Sequence, residues 1–464
     1  MSRPLIGRTV RRIRTERGLS QQALAVKLGI SASYLNLIEH DQRGVTASLL
    51  IKLSEVLAVD LATLSGSAER QSETQLREVF SDPLMASDPV PDAEIESIAA
   101  GSPTAARAIL ALYRALRVAR DDSGGIALPS GRRILVPTEE VRDFFNDHAN
   151  HFPVLEEAAE KLVSELGVAP LETNHAMAER LRRTHGISIQ VVPLPGALRR
   201  YEAEARRLLL SELLPRESRG FHLAFQLGLV ECRDAVEEVI AKAAPSSPEA
   251  AALLRVACLN YVAGAVVMPY SAFLNAAAGL RHDMDHLAAR FGVSFEQACN
   301  RLCSLQRSGE RGVPFFFLRV DPAGNVSKRF SAAGFPFARF GGTCPRWVAH
   351  TALSTPGVLR VQVARLPDGA TFLCFARAVE GPAIGWGEPP PVHVLAMGCD
   401  ISHADQIVYA DRLNMERAVV GIGLSCRLCD RPDCRSRAFP PLEHRLALDP
   451  MTTGLSPYQF EAKK

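Results

Sequence analysis

Residues 8–44 read RTVRRIRTERGLSQQALAVKLGISASYLNLIEHDQRG, and the organisation of the whole chain follows from them. Val10, Ile13 and Arg14 open a helical period that stops at Gly18. Ser20 is placed to cap a second helix whose apolar face is Ala23, Leu24 and Leu28. Gly29 supplies the positive φ of a tight turn between helices, and Ile30 plugs the core there. Ser31 caps a third helix with Leu35 and Ile38 turned inward. Its outer face, Ala32, Ser33, Asn36 and Tyr34, is small and polar and suits a helix lying in a major groove. The first twenty residues carry Arg3, Arg8, Arg11, Arg12, Arg14 and Arg17 against the single acid Glu16, a local excess that matches a phosphate backbone.

The remaining composition bounds what this head serves. The chain has 464 residues, too many for one domain, and its formal net charge is only +2. DNA affinity therefore has to come from the local basic patch rather than from overall charge. With 47% hydrophobic and 22% charged residues, most of the chain is expected to pack into cores. We find no apolar run near 18 residues and no signal peptide, so the expectation is a cytoplasmic protein with no membrane partner. Ten cysteines in such a chain argue against a disulfide scaffold, and six of them lie beyond residue 340.

The head resembles the lambda-repressor-like, Cro/C1-type (XRE) helix-turn-helix family through LSQQALAVKLGISASYLNLIEHDQRG. The resemblance implies double-stranded DNA as partner. Gln21 would contact backbone or a base edge, Ala32, Ser33 and Asn36 would read bases, and Arg43 would meet a phosphate. With Arg11, the cap Ser31 and Tyr34, these form the candidate DNA-binding set. A bundle used only for protein contacts is the bland alternative, and the uncluttered, basic surface argues against it.

The expected division is a helix-turn-helix domain over 1–66, a helical linker over 67–136, a middle domain over 137–280 and a C-terminal domain over 281–464. Helices are expected at 46–57 and 61–64. Ala108, Leu112, Ala115, Leu116 and Ala119 then make 104–120 an amphipathic helix. That helix either joins two copies into a homodimer or docks on its own body. Middle helices are expected at 138–148, 154–166, 171–185, 219–243 and 248–267, with a strand at 187–195. A second helix–turn–helix, at 287–302 around Gly292, carries fewer basic residues and is read as packing within the body. Strands follow at 313–320, 358–366, 371–378 and 392–397, and Pro367-Asp368-Gly369 marks a hairpin. The fold class is thus α+β and multidomain: an all-α head, a helical middle, and an α+β end with an antiparallel sheet.

The middle segment SRGFHLAFQLGLVE, 218–231, resembles the zincin-like peptidase domain of the ImmA/IrrE family, and LNYVAGAVVMPY, 259–270, resembles that family's third-ligand helix. Zincins need two histidines at i and i+4 with a glutamate between them. Here these positions fall on Phe225, Gln226 and Leu229, and the third ligand falls near Cys258. Phenylalanine and leucine bind no metal, and glutamine takes no proton, so the domain is expected to be a pseudo-peptidase without catalytic residues. A zinc peptidase is the discarded alternative. Its apolar slot would suit a small acyl ligand or a partner peptide. His282 and His286, in RHDMDH, also have metal-ligand spacing but are read as a capped first turn.

The loop SCRLCDRPDCRSRAFPP, 425–441, sets Cys426, Cys429 and Cys434 in a C-x2-C-x4-C pattern. A C-x2-C knuckle places two thiolates on one metal. Cys399 is the fourth ligand selected for a structural zinc, with His403 and Cys344 as further candidates. Two other readings stand: a metal-free loop whose Arg427, Arg431, Arg435 and Arg437 take an anion, and an iron–sulfur cluster. The runs FGVSFEQACNRLCSLQRSGERGVPFFFLRVDPAGNVSKRFSAAGFPFARFGGTCPRW and GCDISHADQIVYADRL, with the cysteine loop, resemble the C-terminal domain of short-chain fatty acyl-CoA regulators. That resemblance implies a transcription regulator that senses an acyl-CoA effector. An acyl-CoA needs cations for its phosphates and an apolar slot for its tail. Lys328, Arg329, Arg339 and Arg346, with the flat face of Trp347, are the candidate set. The alternative is control by a protein partner, in a developmental or phage-derived circuit.

Overall fold

The computed structural model describes residues 6–40, 42–57, 59, 67–82, 90–121, 137–167, 173–337, 343–382, 386–415, 417–441, 444–447, 449–456 and 458–460. The chain forms two compact units. One comprises residues 1–134, 336–343 and 423–464, and the other 135–335 and 344–422.

The first unit opens with four helices, α1 (Gly7–Glu16), α2 (Gln21–Leu28), α3 (Ala32–Glu39) and α4 (Ala47–Leu57). Local chemistry sets their ends. The Ser20 hydroxyl accepts from Ala23 N–H and the Ser31 hydroxyl from Tyr34 N–H, each at 3.1 Å. Gly29 closes α2 at φ 70°, as the turn requires. Val10, Ile13, Leu24, Leu28, Leu35, Ile38, Leu53 and Leu57 form the buried core. On α2 it is Ala25, not Ala23, that joins this core, and Ile30 packs at its margin. The expected helix at 61–64 lies outside the described residues.

Three more helices follow, α5 (Ser67–Phe80), α6 (Asp92–Gly101) and α7 (Pro103–Asp121), where the sequence reading foresaw only the last. Leu76, Val79, Ile95, Ala106, Leu110 and Tyr113 make their shared core. The buried face of α7 therefore differs from the expected one. Leu112 and Leu116, on the foreseen apolar stripe, are 67% and 40% exposed.

The second unit builds helices α8 (Pro137–Asp147), α9 (Pro153–Leu166) and α10 (Thr173–His185) onto a small sheet of β1 (Ser188–Val192), β2 (Arg199–Glu202) and β3 (Arg207–Ser211). The strand order is β1-β3-β2, with β1 parallel and β2 antiparallel to β3. The single helix expected at 219–243 is two, α11 (Arg216–Glu231) and α12 (Arg233–Ala243), because Cys232 leaves the helical region at ψ 19°. α13 (Pro248–Val267) is capped by Ser247 and matches expectation. It is long and apolar enough to cross a membrane, contrary to the sequence reading, yet Leu254, Val262 and Val266 bury it in the unit's core. α14 (Tyr270–Gly279) was not foreseen.

RHDMDH forms the capped first turn it resembles: Asp283 accepts from Asp285 and His286 N–H and opens α15 (Met284–Phe291). Gly292 then turns the chain at φ 60° into α16 (Phe295–Cys303), which a Ser294–Gln297 capping box starts. A six-stranded sheet follows, of β4 (Phe316–Val320), β5 (Val326–Ser331), β6 (Arg360–Arg365), β7 (Thr371–Glu380), β8 (Val392–Asp400) and β9 (Val419–Gly421). Its order is β5-β4-β8-β7-β6-β9. All its pairs are antiparallel except β6–β9, which is parallel, so the sheet is mixed rather than purely antiparallel. A short helix, α17 (Val348–Thr351), precedes β6.

One hydrophobic core runs from Phe152 to Ala410 and includes α13, α16, β4 and β8. The boundary expected at residue 280 thus falls inside a single core. A buried ion pair crosses it: Arg301 on α16 donates to both oxygens of Glu156 on α9, at 2.6 and 3.0 Å.

Candidate functional site

On the head, α3 turns Ala32, Ser33, Asn36 and His40 outward. Behind them, Glu39 is buried and fixes two side chains at once. Arg14 grips it through Nε and Nη2, at 2.6 and 3.0 Å, and spends Nη1 on the Leu19 carbonyl. Gln21 Nε2 donates to Glu39 Oε2 at 3.0 Å and to Asn36 Oδ1 at 3.2 Å. The two carboxamides are therefore pre-linked across the α2–α3 corner. With one lone pair of its oxygen engaged, Asn36 keeps its NH2 to donate to a base acceptor, and Gln21 keeps its carbonyl oxygen to accept from a donor. Arg14 was counted among the phosphate-facing cations; it is instead an interior support, and Glu39 was missed because a glutamate at a helix end reads as a solvated residue. Arg11, Arg17 and Arg43 remain exposed beside this face. Ser31 holds the helix start, and Tyr34 packs partly against the head's core.

In the second unit α11 carries the former metal-ligand positions. Phe225 and Gln226 are buried and Leu229 partly so. Cys258, at the third-ligand position on α13, is buried, and burial pushes its thiol up to about 12. Arg199, which sequence reasoning passed over, reaches this face from β2. Its guanidinium lies 4.1 Å from the Phe225 ring centre and Nη1 donates to Gln226 Oε1 at 2.8 Å. A cation thus occupies the side of the helix where zincins hold theirs. His222 nearby is held neutral by burial and by Arg199, its pKa lowered to about 4.

The cysteine loop is organised around a buried arginine. Arg437 donates to the carbonyls of Cys426, Cys429 and Arg431 at 2.8, 2.7 and 2.8 Å. It therefore faces into the loop rather than toward an external anion. Cys429 and Cys434 are buried, and the Cys426 sulfur accepts from Ala438 N–H at 3.4 Å. Among the described residues no three of His, Cys, Asp and Glu are gathered closely enough to hold a metal ion. Cys399 lies on β8 in the core of the second unit, where burial raises its thiol pKa.

The expected acyl-CoA set does not all lie on one face of the sheet. Neighbours on β5, Lys328 and Arg329 take opposite faces of the sheet, opposite Arg319 and Leu318. Arg329 pairs with Glu139 of α8 at 3.3 Å. Lys328 is exposed, and its ammonium lies 5.8 Å from the Phe317 ring centre. Trp347 offers no open face: it is 2% exposed and stacks on Phe335 at 5.1 Å. Arg346 is half-buried, and Arg339 lies outside the described residues.

A helix-turn-helix whose reading face is pre-organised, joined to a body stripped of peptidase ligands, defines a DNA-binding transcriptional regulator rather than an enzyme. Residues 10–64 match the helix-turn-helix family, 182–303 the IrrE N-terminal-like domain, and 304–458 the short-chain fatty acyl coenzyme A regulator C-terminal domain. The chain is 40% identical over 458 residues to a propionyl-CoA carboxylase regulator of Cereibacter sphaeroides, with 98% of each chain covered. It is 38% identical to the Mycobacterium tuberculosis HTH-type transcriptional regulator PrpR, covering 98% of this chain and 96% of that one. With the regulator RamB of the same species it shares 37% identity over 99% of both. A solved M. tuberculosis transcriptional regulator superposes with a TM-score of 0.67 at 39% identity, covering 70% of this chain and 99% of that one. The chain belongs to the short-chain fatty acyl-CoA regulator family.

Proposed function

We propose that this regulator binds its operators through α2 and α3 and changes that binding when its body takes up a short-chain acyl-CoA or a related metabolite. The observation that carries the reading is the match of residues 304–458 to the regulator C-terminal domain, within relatives similar end to end. The cation at Lys328 beside an aromatic ring, and the half-buried Arg346, are the residues we assign to the effector's phosphates. The test is fluorescence anisotropy of promoter DNA titrated with the full chain, with and without acetyl-CoA or propionyl-CoA. A shift in apparent affinity of at least threefold supports the reading, and identical curves with both thioesters overturn it.

The protein acts in the cytoplasm as a homodimer in this reading, joined through the exposed α7 stripe of Leu112 and Leu116. Leu112→Glu is expected to shift the sedimenting species from dimer to monomer while leaving the helical signal intact. The C-x2-C-x4-C pattern of Cys426, Cys429 and Cys434 is what supports a zinc or iron–sulfur centre, although the three thiols are not gathered as a ligand set in this structure. The chemistry of the loop fits: Arg437 Nε is buried without a partner, and no carboxylate among the described residues balances its charge. An anionic thiolate centre would do so. Elemental analysis for zinc and iron, in the wild type and in Cys429→Ser, tests this assignment.

A further inference from the structure

We infer that Arg199 and Gln226, on the face of α11 where a zincin holds its metal, form a binding site for a small organic carboxylate. Three observations converge there. Arg199 pairs with no carboxylate among the described residues; its polar partner is the neutral amide of Gln226. Gln226 is completely buried, and its Nε2 has no hydrogen-bond partner. The amide orientation is fixed by Arg199: turning it over would set two donors against each other. A half-buried guanidinium and a buried N–H2 are thus left side by side, both short of an acceptor.

A buried donor left unmet, as Gln226 Nε2 is, is destabilising. One anion answers both. A carboxylate offers one oxygen to the guanidinium and the other to Gln226 Nε2, a planar match for the arginine fork. His222, on the same helix face, stays neutral and adds no charge there. That favours a monoanion over phosphate. Helical spacing puts Phe225 and Leu229 on this face, so the carbon chain of the acid meets apolar side chains. This site does not depend on the acyl-CoA reading, since a coenzyme A thioester brings several phosphates and no carboxylate.

The probe is butyrate, observed by saturation-transfer NMR on the full chain, with acetate and inorganic phosphate as competitors. Butyrate is expected to bind the wild type, to yield to acetate, and to resist an equal concentration of phosphate. Arg199→Met is expected to weaken butyrate at least tenfold. Gln226→Glu places a carboxylate beside Arg199 and is expected both to abolish butyrate binding and to raise Tm. Far-UV circular dichroism and a single cooperative melt should show that each variant is folded, and operator DNA binding in the absence of added acid should be unchanged in both, which separates this result from that of the effector test. Equal butyrate binding by wild type and Arg199→Met overturns the site. A lowered Tm for Gln226→Glu, or displacement of butyrate by phosphate, overturns it as well.

Discussion

At the residue scale, the proposed reading of DNA rests on a few side chains whose roles would differ in kind. Asn36 presents an amide aimed by Gln21, whereas Arg43 presents an exposed charge. Asn36→Ala should therefore cut affinity for operator DNA much more than for random DNA, by about 1–3 kcal/mol of discrimination. Arg43→Ala should weaken both alike and reduce the salt slope by about one. Salt-dependent anisotropy on the two DNAs measures both, and equal losses for Asn36→Ala would remove it from the base readers. A second residue sets an acid limit. His222 has its folded pKa lowered to about 4 by burial and by Arg199, below the ordinary value of 6.5. Between these values the unfolded chain binds the extra proton, so stability is complete above about pH 6.5 and falls as the pH drops toward 4. Urea denaturation at pH 7 and pH 5 should show a smaller difference in His222→Phe than in the wild type.

At the element scale, what was legible in the sequence was what local chemistry decides. Ser20, Ser31, Gly29 and Gly292 announce caps and turns by themselves, and the helices they bound were read correctly. The break at Cys232 was not legible, because neither glycine nor proline marks it and tertiary packing decides it. β2 and β5 escaped because arginine and lysine dominate LRRYE and VSKRF, masking strands held by their neighbours. Arg199 went unremarked for the same reason: nothing in a run of arginines tells which one folds over Phe225. α7 shows the converse, a clear apolar stripe that is not the buried face. The sheet also hides a steric requirement at Gly398 on β8. A Cβ there would lie 2.6 Å from the Leu373 carbonyl oxygen and from the Phe316 ring. Gly398→Ala is expected to destabilise the second unit by about 1–3 kcal/mol, read as a lower urea midpoint.

At the scale of the whole molecule, the second unit fuses a pseudo-peptidase with a regulator domain in one core, and Glu156–Arg301 is the polar tie between them. Both side chains are at most 2% exposed. Tyr261 adds a hydrogen bond to Glu156 at 2.7 Å, and Arg301 Nε donates to the Met268 carbonyl. Arg301→Met leaves a buried carboxylate without its partner and should destabilise the unit by about 3–5 kcal/mol. Replacing both residues with apolar ones of similar volume should recover much of that loss, as denaturation of the single and double variants will show. The head and the body thus divide the work: one is a helix-turn-helix DNA-binding domain, and the other is a pseudo-peptidase fused to a regulator domain. Genome-wide occupancy of the full chain, against that of Asn36→Ala, tests this account most directly. It expects discrete peaks at promoters of short-chain acyl-CoA metabolism that vanish in the variant. Occupancy without discrete sites, or the same peaks in both proteins, would contradict it.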